Sequence, residues 1–201
     1  MKLDPFYLIV DSADWIARLV PLGVKLVQLR VKDRSEADLR HEIRRALAIC
    51  AEHRCQLIVN DYWQLAIEEG CDFVHLGQED LETADLAAIR AAGVKLGLST
   101  HDEAELQTAL AAQPDYVALG PVYATILKQM KWAPQGLPRL RAWRSEIGDL
   151  PLVAIGGLNI DRIDGVFAHG ADSAAVVTDI TRNADPEQRT RQWLTATETW
   201  R

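Results

Sequence analysis

Gln28, Arg30 and Lys32 sit at alternating positions at the end of the apolar run 26–29. In an extended strand that spacing puts all three on one face and turns Leu29 and Val31 to the other. Arg offers a planar fork to phosphate oxygens and Lys a point charge, so the trio reads as an anion clamp. The competing reading is a set of salt bridges to inward carboxylates. Asp61 follows the run 57–59 and Asp80 follows the run 73–76. Carboxylates at the ends of neighbouring strands, whose backbones lie ~5 Å apart, suit magnesium shared with substrate phosphates and water. Either Asp could instead cap a helix. Gly156-Gly157 and Val177-Thr178 end two later runs and suit a phosphate held by backbone N–H groups, although a tight turn explains a Gly pair equally well. His75 and His101 are candidate general bases. His75 lies in an apolar strand and reads more simply as a hydrogen-bonded core histidine, and His101 reads equally as part of a helix cap. No Ser-His-Asp order and no activated cysteine emerges. Two anion pockets plus a metal, with few acid–base groups, suit phosphoryl or diphosphate leaving-group chemistry, in which electrostatic stabilisation carries most of the rate.

These residues need a scaffold that gathers strand ends. Eight short apolar runs recur, at 7–10, 26–29, 57–59, 73–76, 95–98, 116–119, 152–155 and 174–177. Each is too short for a helix and lacks internal polar alternation, as in strands buried on both faces. Helical stripes lie between them. Trp15, Ile16, Leu19 and Val20 form one, and Leu39, Ile43, Ala46, Leu47 and Cys50 another, capped by Ser35. Further helices are expected over 80–92, ended by Gly93, over 102–112, and over 160–169, closed by Gly170. The last is expected over 186–197, with Asp185 as cap and Pro186 in the first turn. Eight βα units with even spacing and no Gly/Ser- or Pro-rich linker predict an α/β (β/α)₈ TIM barrel, residues 1–201 as one compact domain; an open doubly wound sheet is the alternative. The segment 120–136 has no clear periodicity and is expected to be a long active-site loop after the sixth strand. The polar groups cluster at the strand ends and not at the strand starts, on the face where such barrels place their sites.

Composition narrows the function. The chain has 201 residues, 48% hydrophobic and 25% charged, and 22 basic against 29 acidic side chains give a net charge of −7. That balance argues against a general nucleic-acid binder and leaves room for a local basic pocket. Cys50, Cys55 and Cys71 are odd in number and not spaced for zinc, so they read as free thiols in a reducing compartment. With no leader-like N-terminus and no apolar run near the ~20 residues of a membrane span, the expectation is a cytoplasmic protein without membrane contact.

Several segments carry a resemblance: Val27-Gln28-Leu29-Arg30-Val31-Lys32-Asp33, Val59-Asn60-Asp61-Tyr62-Trp63, Val74-His75-Leu76-Gly77-Gln78-Glu79-Asp80-Leu81, Gly97-Leu98-Ser99-Thr100-His101, Ala118-Leu119-Gly120-Pro121-Val122, Val153-Ala154-Ile155-Gly156-Gly157 and Ala175-Val176-Val177. They span nearly the whole chain, and in their order the sequence resembles the bacterial thiamine phosphate synthase family. The resemblance implies a (β/α)₈ barrel, often dimeric, so a homodimer is expected. It implies a Mg²⁺-dependent transferase that joins hydroxymethylpyrimidine diphosphate to thiazole ethyl phosphate through a pyrimidine cation, releasing pyrophosphate. By the same resemblance Gln28, Arg30, Lys32, Asn60 and Lys128 hold the pyrimidine diphosphate, Asp61 and Asp80 hold Mg²⁺, and Ser99 contacts the pyrimidine or the leaving group. Arg30, Lys32, Ser99 and Lys128 would be the catalytic set. Thr125, Gly157, Val177 and Thr178 would hold the thiazole phosphate.

One stretch departs from the family pattern. The loop after the sixth strand usually reads Pro-Thr-x-Thr-Lys and here reads Ala124-Thr125-Ile126-Leu127-Lys128. Leu127 stands where a second threonine is usual, Ile126 and Trp132 add apolar bulk, and Thr178 replaces a serine while keeping the hydroxyl. The altered loop is expected to weaken thiazole phosphate use. Two alternatives follow: a sister enzyme of the thiazole tautomerase kind, or a synthase-like barrel that binds pyrimidine diphosphate or product with impaired turnover.

Overall fold

The computed structural model describes residues 2–125 and 132–201. The chain alternates β1 (Phe6–Val10), α1 (Ala13–Leu19), β2 (Leu26–Leu29), α2 (Glu36–His53), β3 (Gln56–Asn60), α3 (Trp63–Glu68), β4 (Phe73–Leu76), α4 (Gln78–Thr83), α5 (Leu86–Ala91), β5 (Lys95–Thr100), α6 (Glu103–Ala111), β6 (Tyr116–Leu119), α7 (Gly136–Ile147), β7 (Leu152–Ile155), α8 (Ile163–Ala168), β8 (Ser173–Val176), α9 (Thr178–Thr181) and α10 (Pro186–Thr197). The eight strands pair in sequence order, all parallel, and β8 closes onto β1. The open-sheet alternative is therefore wrong, and the TIM barrel stands.

Two apolar layers hold the barrel. Leu8, Val10, Val27, Leu29, Leu57, Val59, Val74 and Leu76 point outward and pack under the helices. The side chains between them point inward: Tyr7, Ile9, Leu26, Ile58, Phe73, Tyr116, Ala118, Val153 and Ala175 fill the barrel. This is the period-2 alternation of a strand buried on both faces. The register sets Ile9 beside Gln28, Asn60 beside His75 and Ser99 beside Ala118, so residues of like parity on neighbouring strands share the inward face. The helices lay down apolar stripes as expected. Leu39, Ile43, Ala46 and Cys50 of α2 are buried, and Ser35 caps that helix by accepting from the Asp38 N–H. On its outer face Arg40 and Arg44 bond Glu68 and Glu69 at the end of α3. Trp193 of α10 stacks on Phe6 and donates to Asp179, which also holds Arg189, so α9 is pinned to α10 beside the end of β8.

The structure corrects three expectations. Residues 80–92 form two helices, because Ala84 is extended at ψ 137° and Asp85 starts α5 by accepting from the Ala88 N–H. The helices α3, α7 and α9 were not marked by the sequence stripes. Polar groups do gather at the strand starts, but they are spent on the scaffold. Asp115 accepts from the Leu96 N–H, Asp172 from the Leu152 N–H, and Gln56 donates to Asp72. No helix of the described residues is long and apolar enough to cross a membrane.

Candidate active site

The C-terminal mouth of the barrel brings the candidate metal ligands together. Asp61 directly follows β3 and holds a left-handed backbone, φ 67°. Its N–H donates to the His75 carbonyl at 2.9 Å and its carbonyl accepts from the Trp63 N–H at 2.8 Å, which fixes the turn. Neither Asp acts as a helix cap. Tyr62 precedes α3, and Gly77 precedes α4, in whose first turn Asp80 lies. The Asp80 carboxylate folds back over Gly77, where a Cβ would stand 3.2 Å from Oδ2. Desolvation, and then the facing carboxylate of Asp61, push the Asp80 carboxyl above its ordinary value, against the opposing pull of Lys32 and the Gly77 N–H. Like charges held this close favour a cation between them. Lys32 supplies one already, as an ion pair to Asp61. The salt-bridge reading of Lys32 is thus met by its ion pair with Asp61. Among the described residues no three His, Cys, Asp or Glu side chains gather as a metal cluster, so the pair would rely on substrate oxygens and water to complete a divalent shell.

Beneath this pair runs a line of polar side chains inside the barrel. Gln28 is 2% exposed and donates from Nε2 to the Tyr7 hydroxyl at 2.8 Å. The Tyr7 and Tyr116 hydroxyls lie 3.0 Å apart, Tyr116 reaches His75 Nδ1 at 2.7 Å, and His75 Nε2 reaches Ser99 Oγ at 2.8 Å. Gln78 donates to the Ser99 carbonyl at 2.6 Å. Burial lowers the His75 pKa from 6.5 to about 4, the Arg30 charge adding to the effect and Asp61 opposing it, so the ring is neutral near pH 7. Burial also raises both tyrosine phenols, which stay protonated. The core-histidine reading of His75 therefore captures its satisfied nitrogens but misses its link to Ser99. Tyr7 and Tyr116 were invisible as site residues because a tyrosine within an apolar strand reads as core. Gly97 makes the line possible: a Cβ there would stand 2.1 Å from Tyr116 Cζ.

The remaining candidates are spread around the rim. Arg30 is exposed just past β2, its N–H bonded to the Val10 carbonyl, and Asn60 is buried at the end of β3. Gly157, at φ 64°, lets the loop after β7 pass under the loop after β6. A Cβ there would meet the Ala124 carbonyl oxygen at 2.4 Å. Tyr123 N–H donates to the Gly156 carbonyl at 3.0 Å, and Arg162 covers the Tyr123 ring at 4.4 Å. Val177 and Thr178 form the start of α9. Thr125 is the last described residue before residues 126–131, and Ile126, Leu127 and Lys128 lie outside the described residues. His101 is tied to its own helix: its N–H and Nδ1 both reach Glu105, at 2.8 and 2.6 Å, and its ring stacks on Trp132 at 4.1 Å. Asp102, not His101, caps α6, and its carboxylate faces the Trp132 indole N–H at 3.4 Å.

The family model described as thiamine monophosphate synthase matches residues 6–180. The chain is 74% identical over 201 residues to a thiamine-phosphate synthase of Rhizobium etli, covering all of this chain and 98% of that protein. It is 50% identical over 188 residues to the thiamine-phosphate synthase of Klebsiella pneumoniae, covering 94% and 89% of the two chains. Among solved structures it resembles a thiamine phosphate pyrophosphorylase from Pyrococcus furiosus with TM-score 0.87 and 24% identity, covering 98% and 96%, which bears on the fold.

Proposed function

The chain belongs to the thiamine monophosphate synthase family, and from that premise we propose how its barrel mouth divides the work. The reaction is that of a transferase in thiamine biosynthesis: hydroxymethylpyrimidine diphosphate and thiazole ethyl phosphate condense to thiamine phosphate and pyrophosphate. The observation that carries the assignment of roles is the Asp61–Asp80 pair with Lys32 beside it. This donor set fits a hard divalent cation, and Asp61 and Asp80 would hold Mg²⁺. Bound there, the ion would neutralise charge on the diphosphate leaving group.

The chain's own residues do the rest. Arg30 and Lys32 bind phosphate oxygens, and Lys32 exchanges its carboxylate partner for the substrate as it does so. Asn60 and Gln28 orient the pyrimidine from inside the mouth. Ser99 touches the pyrimidine or the leaving group. Pyrophosphate departs first, and the thiazole nitrogen captures the pyrimidine cation that remains. Gly157, Val177, Thr178 and Thr125 receive the thiazole phosphate on the far rim, and Lys128 adds a charge to the diphosphate from the loop after β6. The substrates are small molecules, and the protein works as a cytoplasmic homodimer. No observation favours the tautomerase-like or binding-only alternatives.

Release of pyrophosphate from the two purified substrates tests this reading. Release that needs both Mg²⁺ and the pyrimidine diphosphate, with thiamine phosphate formed in equal amount, is expected. No pyrophosphate and no thiamine phosphate would contradict it.

A further inference from the structure

The Gln28 amide orientation sets the direction of the buried line. Among the described residues two groups reach the Tyr7 hydroxyl, Gln28 Nε2 at 2.8 Å and the Tyr116 hydroxyl at 3.0 Å. With the Gln28 amide turned nitrogen-first toward Tyr7, the orientation on which the direction rests, the Tyr7 proton has one acceptor, the Tyr116 oxygen. Tyr116 must then give its own proton to its remaining partner, His75 Nδ1 at 2.7 Å. An accepting Nδ1 carries no proton, so Nε2 carries it and donates to Ser99 Oγ at 2.8 Å. Ser99 Oγ, already accepting from His75, keeps its own proton for a further acceptor. The reverse order would leave the Tyr7 proton with no acceptor on a side chain only 1% exposed, where unpaired donors are rare. A doubly protonated imidazole fails in the same way, because Tyr116 would again have to donate to Tyr7.

We propose that Gln28, Tyr7, Tyr116 and His75 are positioning residues acting through one ordered chain. The donor end at Gln28 holds His75 as the Nε2–H tautomer and so makes the Ser99 hydroxyl a hydrogen-bond donor to an acceptor atom of the pyrimidine diphosphate. The chain draws on β2, β1, β6, β4 and β5 in turn, so strands far apart in sequence set the orientation of one hydroxyl at the mouth. The identity of Ser99's acceptor rests on the diphosphate reading of the site. The direction of the chain rests instead on the Gln28 amide orientation.

The direct test is the tautomer of His75 in the full chain labelled with ¹⁵N-histidine, without substrate, with the signal assigned by its loss in His75→Gln. Long-range ¹H–¹⁵N correlations should show Nε2 protonated and Nδ1 bare. A bare Nε2, or a charged ring at neutral pH, would overturn the proposal. Gln28→Glu places an accepting oxygen against Tyr7 and allows the chain to run backwards. Burial raises such a carboxyl above its ordinary value, so the variant is followed upward in pH until the carboxyl ionises, where it should populate the Nδ1–H form. Its kcat should fall about tenfold, the size expected for one lost hydrogen bond to a charged group, with KM for thiazole phosphate unchanged. A purely structural role for Gln28 would change the melting temperature and leave the tautomer alone, and that result would remove Gln28 as the controlling end. If Gln28→Glu fails to fold, the wild-type spectrum still decides the direction. Full activity in Ser99→Ala would end the donor role of Ser99, while the diphosphate reading is judged separately by pyrophosphate release.

Discussion

Asp61 pairs a costly backbone with a charged side chain. A positive φ of 67° is uncommon outside glycine, although Asp and Asn tolerate it best, and such strain typically costs about 1–3 kcal/mol. The strain is understandable if the turn exists to aim the carboxylate at Asp80. Asn keeps the backbone preference and removes the charge, so Asp61→Asn is a cleaner probe than Asp61→Ala. Arg30 stands exposed at the rim, free to meet substrate. Arg30→Ala should weaken pyrimidine diphosphate binding by roughly ten- to a hundredfold, the worth of a charge-assisted hydrogen bond, and leave thiazole phosphate nearly untouched. Calorimetric titration with each substrate checks this, and equal losses for both would make Arg30 structural. Leu127 has no hydroxyl to offer a phosphate oxygen where the family usually carries threonine. Leu127→Thr should lower KM for thiazole phosphate about tenfold and leave KM for the diphosphate unchanged. Steady-state kinetics with each substrate varied in turn would show it, and unchanged thiazole kinetics would mark Leu127 as neutral.

At the scale of elements, the site depends on close approaches that only glycine permits. On β5, Gly97 leaves room for the Tyr116 ring from β6, whose Cζ would stand 2.1 Å from an added Cβ. Gly97→Ala should lower stability by about 1–3 kcal/mol through overpacking and displace Tyr116 from His75. A urea midpoint within error of wild type would contradict it. Gly157 does the same for the crossing of the loops after β6 and β7. Trp132 anchors the far end of the β6 loop through its stack on His101 at 4.1 Å. Position at the strand ends made Gln28, Arg30, Asp61, Asp80 and Ser99 legible as neighbours at one mouth, and alternation set Gln28, Arg30 and Lys32 on one face. The Tyr7–Tyr116 contact was not legible, because its partners are 109 residues apart and both lie in apolar runs. The break between α4 and α5 was hidden because Asp85 looked like one more exposed residue of a helix. Its role as a cap shows only when its carboxylate meets the Ala88 N–H. The helix α7 was hidden by Pro138 and a basic-rich outer face.

For the whole molecule, burying a neutral histidine ties barrel stability to pH. His75 has a folded pKa of about 4 against 6.5 when unfolded. Below pH 6.5 the unfolded chain takes up a proton that the folded chain refuses, so this contribution is complete above pH 6.5 and is lost as pH falls toward 4. The loss over that window is about 3 kcal/mol, and urea midpoints measured across it should fall more steeply for the wild type than for His75→Gln. Parallel slopes would mean that His75 is not the buried neutral group described. The same barrel gathers charge at its mouth although the chain as a whole carries −7: Arg30 and Lys32 stand on one strand end, Asp61 and Asp80 on the next two. Turnover as a function of Mg²⁺ tests that juxtaposition most directly. Pyrophosphate release by wild type, Asp61→Asn and Asp80→Asn should be compared over a wide Mg²⁺ range, with folding followed by circular dichroism. Both variants should fold and lose Mg²⁺-dependent release. Near wild-type release at ordinary Mg²⁺ by either folded variant would contradict it.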